Sequence, residues 1–372
     1  MKGLSSFVLP DDSGVKRTIT RPEAFRQDGY LANYDFRTVF YDCFREGDSL
    51  IFVAPPLINF KDELLSALQK ASGNAQLDYY ARDRTVEIRL KTGAEELEVS
   101  FAGIREMITP QPNESHLFEM RRVMLTQSKN NDPQWIADWF QFHAKSHGAN
   151  ALLLYDNNSD RYETAELEDG LQRRFPAALI KVVDWRFPFG VTGGPQQMWD
   201  SDFSQFGVLN HARFRFLRSA RSVLHGDVDE LIVAVDGRSS VFSAAENSPF
   251  GVIIYNGHWI SDATALADGQ ALRHRDFLHL VPSPKNVCTP KWCTVPGRNR
   301  HDSNWEIHSI SGYSGTELRS PDFKIRHFSA ITSWRAVRMS TRPIAADDKI
   351  DEPLVKALQG AGLFQESNDA SE

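Results

Sequence analysis

The segment from Arg121 to Tyr155 constrains this chain most, because it reads as a strand, a capped helix and a second strand with almost no spacer. Val123, Met124 and Leu125 make a short apolar strand within Arg121 to Thr126, and the polar run Gln127 to Asn131 closes it. Asp132 is a good N-cap, Pro133 suits the first helical position, and Gly148 can take the left-handed conformation beyond the helix end. Between them Ile136, Trp139, Phe140 and His143 recur at three- and four-residue spacing, which predicts one inward face. Ala151 to Tyr155 follows at once, and a continuous apolar run of that length suits a strand covered on both faces. The expectation is a βαβ unit in a parallel sheet.

Such a unit brings the loops after its strands to one edge, where open α/β sheets hold their ligands. Asp156-Asn157-Asn158-Ser159-Asp160 is one of these loops. The pattern continues with a helix near Ala165 to Arg174, a strand near Leu179 to Trp185 and a longer helix from about Phe203 to Ala220. It then reaches Ser-Val-Leu-His-Gly-Asp-Val-Asp-Glu-Leu-Ile-Val, residues 222 to 233. If the strand stays extended, Asp227 and Asp229 share a face, with Cα atoms roughly 6.6 Å apart. Two carboxylates so placed can flank a hard divalent cation that bridges phosphates. Glu230 then alternates away from them and suits an internal salt bridge or hydrogen bond. Asp-rich turns are common, so the tripeptide by itself carries little weight.

Composition narrows the class. With 372 residues, 41% hydrophobic and 24% charged, the chain can bury one large core and a smaller one. A formal charge of −7 argues against a general nucleic-acid binder. The most apolar early stretch, Leu50 to Phe60, is short and broken by Pro55 and Pro56, so the expectation is a cytoplasmic chain without a membrane span, with peripheral membrane association left open. Cys43, Cys288 and Cys293 make neither a disulfide framework nor a complete zinc pattern, and reduced structural thiols are expected.

Residues 1 to 118 differ in character. Leu77 to Ala81, Thr85 to Leu90 and Leu97 to Phe101 read as strands and Lys61 to Ala71 as a helix, which predicts a β-rich or α+β accessory domain. Thr109-Pro110-Gln111-Pro112-Asn113 has linker composition. The expected division is 1–118 accessory, 119–342 α/β, and 343–372 a C-terminal helix with a disordered tail.

Taken in order, these segments resemble the glycosyltransferases of the GT-A fold, in particular family 92 and its bacterial family 2-like relatives. The likeness rests on Lys129-Asn130 after the first strand, Trp139 and His143 on the first helix, and His147-Gly148-Ala149 before the second strand. It continues through Tyr155 to Asp160, Gln205 and Asn210, Asp227 to Leu231, Lys291 to Pro296, His308 and Arg326-His327-Phe328, and so spans roughly Arg121 to Arg342. One departure is Asn131, where the family carries an acid. The resemblance implies a Rossmann-type nucleotide-binding domain with a mainly parallel sheet and a DxD motif. It also implies a hexosyltransferase reaction. A sugar would pass with inversion from a nucleotide-sugar, expected to be a UDP-sugar, to a glycan or glycolipid acceptor, as in polysaccharide biosynthesis. Mn²⁺ or Mg²⁺ would sit on the diphosphate.

On this reading Asp227 and Asp229 hold the metal, with His308 and His327 as candidates for a further ligand. Lys129, Asp156, Asn157, Ser159, Asp227, Lys291 and Arg298 are candidates for the nucleotide, the last as part of a basic loop from Pro296 to Arg300. Glu306 and Asp276 are candidate bases for the acceptor hydroxyl, each equally readable as a surface ion pair. Trp259, Trp292 and Trp305 could stack on a sugar or lie in the core. Two other functions compete: a non-catalytic glycan- or nucleotide-binding protein, and a metal-dependent phosphoryl or nucleotidyl transferase. No Gly-rich phosphate loop supports the latter.

Overall fold

The computed structural model describes residues 3–194, 198–265, 271–281, 286–300, 302–313, 316–332 and 341–364. They form two compact units. The first holds the residues up to Leu117 together with Asp184–Arg218 and Asn304–Ile307; the second holds Phe118–Val183, Ser219–Ser303 and the residues from His308.

The first unit is built on a five-stranded sheet. Its strands are β1 (Asp42–Glu46), β2 (Ser49–Ala54), β3 (Leu77–Arg82), β4 (Thr85–Lys91) and β5 (Gln111–Pro112), in the order β3-β4-β2-β1-β5. Helix α1 (Lys61–Ala71) buries Leu64 and Leu68, four residues apart on one face, in the core formed with Phe52, Ile88 and Leu90. The long helix expected from Phe203 to Ala220 is α-helical over Phe203–His211 and widens into a π-type turn over Ala212–Phe216. Here Asp42, fully buried, accepts from His211 Nε2 at 2.8 Å and Arg215 Nη1 at 2.6 Å, so the burial of each charged group is offset by another.

The second unit is a ten-stranded sheet with flanking helices. In chain order its elements are β6 (Arg122–Ser128), α2 (Pro133–His147), β7 (Ala151–Asp156), α3 (Thr164–Arg174), β8 (Leu179–Asp184), β9 (Ser222–His225), β10 (Glu230–Ala234), α4 (Val241–Asn247), β11 (Val252–Ile260), β12 (His279–Leu280), β13 (Val287–Thr294), β14 (Phe323–Phe328), β15 (Lys349–Ile350) and α5 (Glu352–Gly360). The order is β8-β7-β6-β9-β13-β11-β12-β15, with β14 pairing β10 and β11. The helix expected at Asp132 is there: the Asp132 carboxylate accepts the Gln134 N–H at 2.8 Å, and Gly148 ends the helix at φ 79°. Met124, Leu152 and Leu154 pack beneath Ile136, Trp139 and Phe140 of α2 in one core. Cys43, Cys288 and Cys293 are buried free thiols.

The expectation of a mainly parallel sheet needs correction, because the sheet is mixed. β6 runs parallel to β7 and to β9, as the helical crossovers require. Beyond them β13 is antiparallel to β9 and β11, and β10 is antiparallel to β14. No helix longer than the three-residue turn His274–Asp276 is described between β11 and β13, and without a crossover helix a chain returns antiparallel. β14 then lies parallel to β11, with Gly257 opposite Ile325. A Cβ at Gly257 would come within 2.3 Å of the Ile325 carbonyl oxygen, so the missing side chain is what lets these strands meet.

Candidate active site

The register brings three chain segments to one edge. Ser128 of β6 stands opposite Asp156 of β7, and Leu125 of β6 opposite His225 of β9, so the loops after all three parallel strands leave from the same end of the sheet. Gly226 donates its N–H to the Leu125 carbonyl at 3.3 Å, and the chain then turns instead of continuing as a strand. Asp227 and Asp229 therefore lie in a tight turn between β9 and β10, closed by the Glu230 N–H on the Asp227 carbonyl at 3.0 Å.

Each carbonyl of that turn is held. Val228 O accepts from His274 Nε2 at 2.8 Å, Asp229 O from the Phe328 N–H at 2.8 Å, and Glu230 O from Trp139 Nε1 at 2.9 Å. Glu230, expected to face away from the pair, instead turns beneath it because the strand is broken. Its Oε2 accepts the Asp227 N–H at 3.0 Å and lies 3.6 Å from Lys291 Nζ. The internal pairing expected for Glu230 is thus present, on the same side as the aspartates.

The site has two layers. Glu230 and Lys291 form a buried floor, each side chain 1% exposed, whereas Asp227 and Asp229 open outward at 36% and 20%. Lys291 Nζ lies 2.7 Å from Asp227 Oδ2. Burial alone would raise the Asp227 carboxyl, but the Lys291 ammonium, aided by His225 and His327, holds it well below the usual carboxylate range. Burial would also discharge Lys291, yet Asp227 and Glu230 keep it firmly protonated. Glu230, deepest and beside Asp227, is pushed up to about 7 by burial, which the Lys291 charge only partly offsets.

Of the two histidines, His327 is brought to the aspartates, its Nε2 3.3 Å from Asp229 Oδ2 and its Nδ1 3.7 Å from Glu230 Oε1. Burial would lower it, but the Asp229 carboxylate raises it to about 11, so at neutral pH it is an imidazolium. Trp259 stacks on it, ring centroids 3.9 Å apart at 23°. His308 is exposed and donates Nδ1–H to the Pro290 carbonyl at 3.0 Å, next to Lys291; its surroundings and the Lys291 charge lower it to about 4, which leaves Nε2 a lone pair. Among the described residues no group of three or more His, Cys, Asp or Glu side chains is arranged to hold a metal ion. What the turn offers is two outward carboxylates, and a hard cation that completes its shell with phosphate oxygens and water fits that donor set.

The neighbouring loop is tied internally. Asp156, 2% exposed, accepts from Ser159 N–H at 3.0 Å and Ser159 Oγ–H at 2.5 Å, and Ser159 Oγ accepts the Asn130 N–H at 2.7 Å. Asn157 is equally buried and donates its N–H to the Ser128 carbonyl at 2.7 Å. These contacts stitch the loops after β6 and β7 together, and Lys129 stands exposed on their rim. Asn131, the departure from the resembled pattern, donates to Ser128 Oγ at 3.0 Å.

Of the remaining candidates, Arg298 is not brought to the acidic turn. Arg298 lies at the opposite edge: Thr294 already pairs with Val223 at the start of β9, and Arg298, four residues further on, donates Nη1–H to the carbonyls of Glu246 and Ser248 at 2.9 and 3.3 Å. Its expected role on phosphate is corrected to fastening the end of α4. Asp276 caps its own turn, accepting the Arg273 N–H at 2.6 Å. Glu306 falls in the first unit. Trp292 and Trp305 are fully buried core residues, whereas Trp259 stacks on His327 beside the turn. Arg298→Ala is accordingly expected to leave nucleotide affinity within twofold of the wild type by calorimetry.

The contacts that sequence reading missed come from α2. Trp139, His143 and His147 recur every four residues and meet one edge of β10 in succession. Trp139 takes the Glu230 carbonyl, His143 Nε2 accepts the Ile232 N–H at 3.3 Å, and His147 Nε2 donates to the Ile232 carbonyl at 2.6 Å. His143 donates Nδ1–H to the Trp139 carbonyl at 2.8 Å, and His147 Nδ1 accepts the Val241 N–H at 3.3 Å, so both rings must be neutral. Burial depresses both, His147 to about 4. The unfolded chain therefore binds these protons first as pH falls, and stability is lost between about 6.5 and 4, by about 3 kcal/mol for His147. Urea titrations across that window should show the loss, and His147→Gln should flatten it.

A cavity of about 490 Å³ lies elsewhere, lined by Lys145, His147, Val235, Arg238 and Lys356 and by neither aspartate. No helix among the described residues is long and apolar enough to cross a membrane.

No family model and no curated protein matches the sequence. Among solved structures the chain is similar to S. aureus TarS 1–349, at 12% identity over 57% of this chain and 61% of that one, TM-score 0.30. The same protein in complex with UDP gives 12% identity, 47% of each chain and TM-score 0.26. WbbM, a bifunctional glycosyltransferase in its apo form, gives 12% identity, 45% of this chain, 27% of that chain and TM-score 0.25. The chain thus spans about half the length of the TarS structures and about a quarter of WbbM. At such TM-scores these likenesses carry no argument, and the functional reading rests on the residues above.

Proposed function

We propose that this chain is a metal-dependent glycosyltransferase that moves a sugar from a nucleotide-sugar, a UDP-sugar by the sequence resemblance, to a glycan or glycolipid acceptor with inversion. The observation that carries the reading is the rigid turn that presents Asp227 and Asp229 at the carboxyl edge of parallel β7, β6 and β9, over the buried Lys291. Asp227 and Asp229 would hold Mn²⁺ or Mg²⁺. When bound, that cation would supply a counter-charge to the diphosphate as the sugar departs.

The protein's own groups prepare the site. Lys291 keeps Asp227 ionised at every physiological pH, and the held carbonyls of residues 228 to 230 keep the turn from reorganising during the reaction. The His327 imidazolium sits beside Asp229 and adds a second fixed positive charge near the departing phosphates. The test is thermal stability against a panel of nucleoside diphosphates and nucleotide-sugars with and without Mn²⁺, since a ligand of the folded state raises the melting temperature. A Mn²⁺-dependent rise with UDP or a UDP-sugar is the expected result; no rise with any nucleotide would overturn the donor-binding reading.

A further inference from the structure

Among the described residues the strand that follows the acidic turn pairs with one neighbouring strand. β10 pairs with β14 through Leu231 and Val233, while the backbone groups of Glu230 and Ile232 face α2. Unpaired strand groups in a buried setting need partners, and a helix whose own N–H and C=O groups are already bonded cannot supply them from its backbone. Here three side chains do so: Trp139 Nε1 on Glu230 O at 2.9 Å, His143 Nε2 on Ile232 N–H at 3.3 Å, and His147 Nε2 on Ile232 O at 2.6 Å. At 1.5 Å of rise per residue a four-residue step climbs roughly 6 Å, close to the two-residue step of a strand at roughly 6.6 Å, so a helix ladder at i, i+4 and i+8 can follow a strand edge.

We propose that Trp139, His143 and His147 are positioning residues for the acidic turn, standing in for a missing strand beside β10. The inference rests on the reading of Asp227 and Asp229 as the metal and diphosphate site. Through Glu230 O, Trp139 fixes the residue whose carboxylate supports Asp227 N–H; through Ile232, the two histidines fix the strand that carries the turn.

The test compares Trp139→Phe, His143→Leu and His143→Gln with Leu152→Ala, a variant on β7 that loosens the core beneath α2 while leaving the three ladder side chains in place. Amide exchange is read at Glu230, Ile232 and Phe328, and affinity for UDP with Mn²⁺ is read by calorimetry. Trp139→Phe and His143→Leu are expected to speed exchange at these three amides beyond Leu152→Ala and to weaken UDP binding about tenfold, with His143→Gln, which keeps an acceptor, restoring part of both. Exchange matching that of Leu152→Ala would overturn the proposal. Wild-type protein that binds no UDP would sink the donor reading instead, and the exchange comparison would still decide the positioning role.

Discussion

Lys291→Met is expected to destabilise the second unit by about 3–5 kcal/mol, the usual cost of stripping one partner from a buried ion pair. The lysine side chain is 1% exposed and lies 2.7 Å from Asp227 and 3.6 Å from Glu230. Without the ammonium, the equally buried Glu230 faces Asp227 with His327 as its remaining counter-charge, at 3.7 Å. Glu230, already pushed up to about 7 by burial, would then be held protonated at neutral pH. Urea denaturation measures the loss. Adding Glu230→Gln should recover part of it, because a Gln there spares the cost of keeping a buried carboxylate protonated at neutral pH, and the non-additivity reports the coupling. A cost below about 1 kcal/mol would mean that water reaches this floor and that the layered description is wrong.

Asp227→Asn/Asp229→Asn is expected to abolish the Mn²⁺-dependent thermal shift with UDP and to lower sugar transfer at least about a thousandfold, the scale on which fixed charge at a developing anion acts. The two carboxylates are the outward members of the site, so the variant should remain folded by circular dichroism at 25 °C. A stability effect follows from His327. Its pKa is raised to about 11 by Asp229, so it contributes stability that is full below about 6.5 and is lost as pH rises through 11. Removing the Asp229 charge withdraws most where that contribution is fullest, so relative to the wild type the double variant should lose more melting temperature at pH 6 than at pH 8. Full activity in the double variant would overturn the metal site.

Much of this molecule was legible along the chain because it depends on near neighbours. Asp132, Pro133 and Gly148 bound α2 through caps that reach two to four residues, and Ala151 to Tyr155 reads as a buried strand from its unbroken apolar run. The order strand, helix, strand then forces the loops after β6 and β7 to one edge, and the same logic delivers Asp227 to that edge. What tertiary structure alone decided are the relations between segments far apart in sequence. Whether Asp227 and Asp229 lie on a strand or in a turn depends on where β9 stops, and that is set by the Gly226 bond to Leu125 about a hundred residues earlier. The inward swing of Glu230 needs Lys291 from β13, and the ladder from α2 matters because among the described residues β10 pairs with β14 alone. Arg298 shows the same limit from the other side: four residues beyond Thr294 in sequence, it lies at the opposite end of β9 from the acidic turn. Local spacing specifies which face of an element a side chain occupies; which other element meets that face is decided by strand pairing, which the local period does not encode.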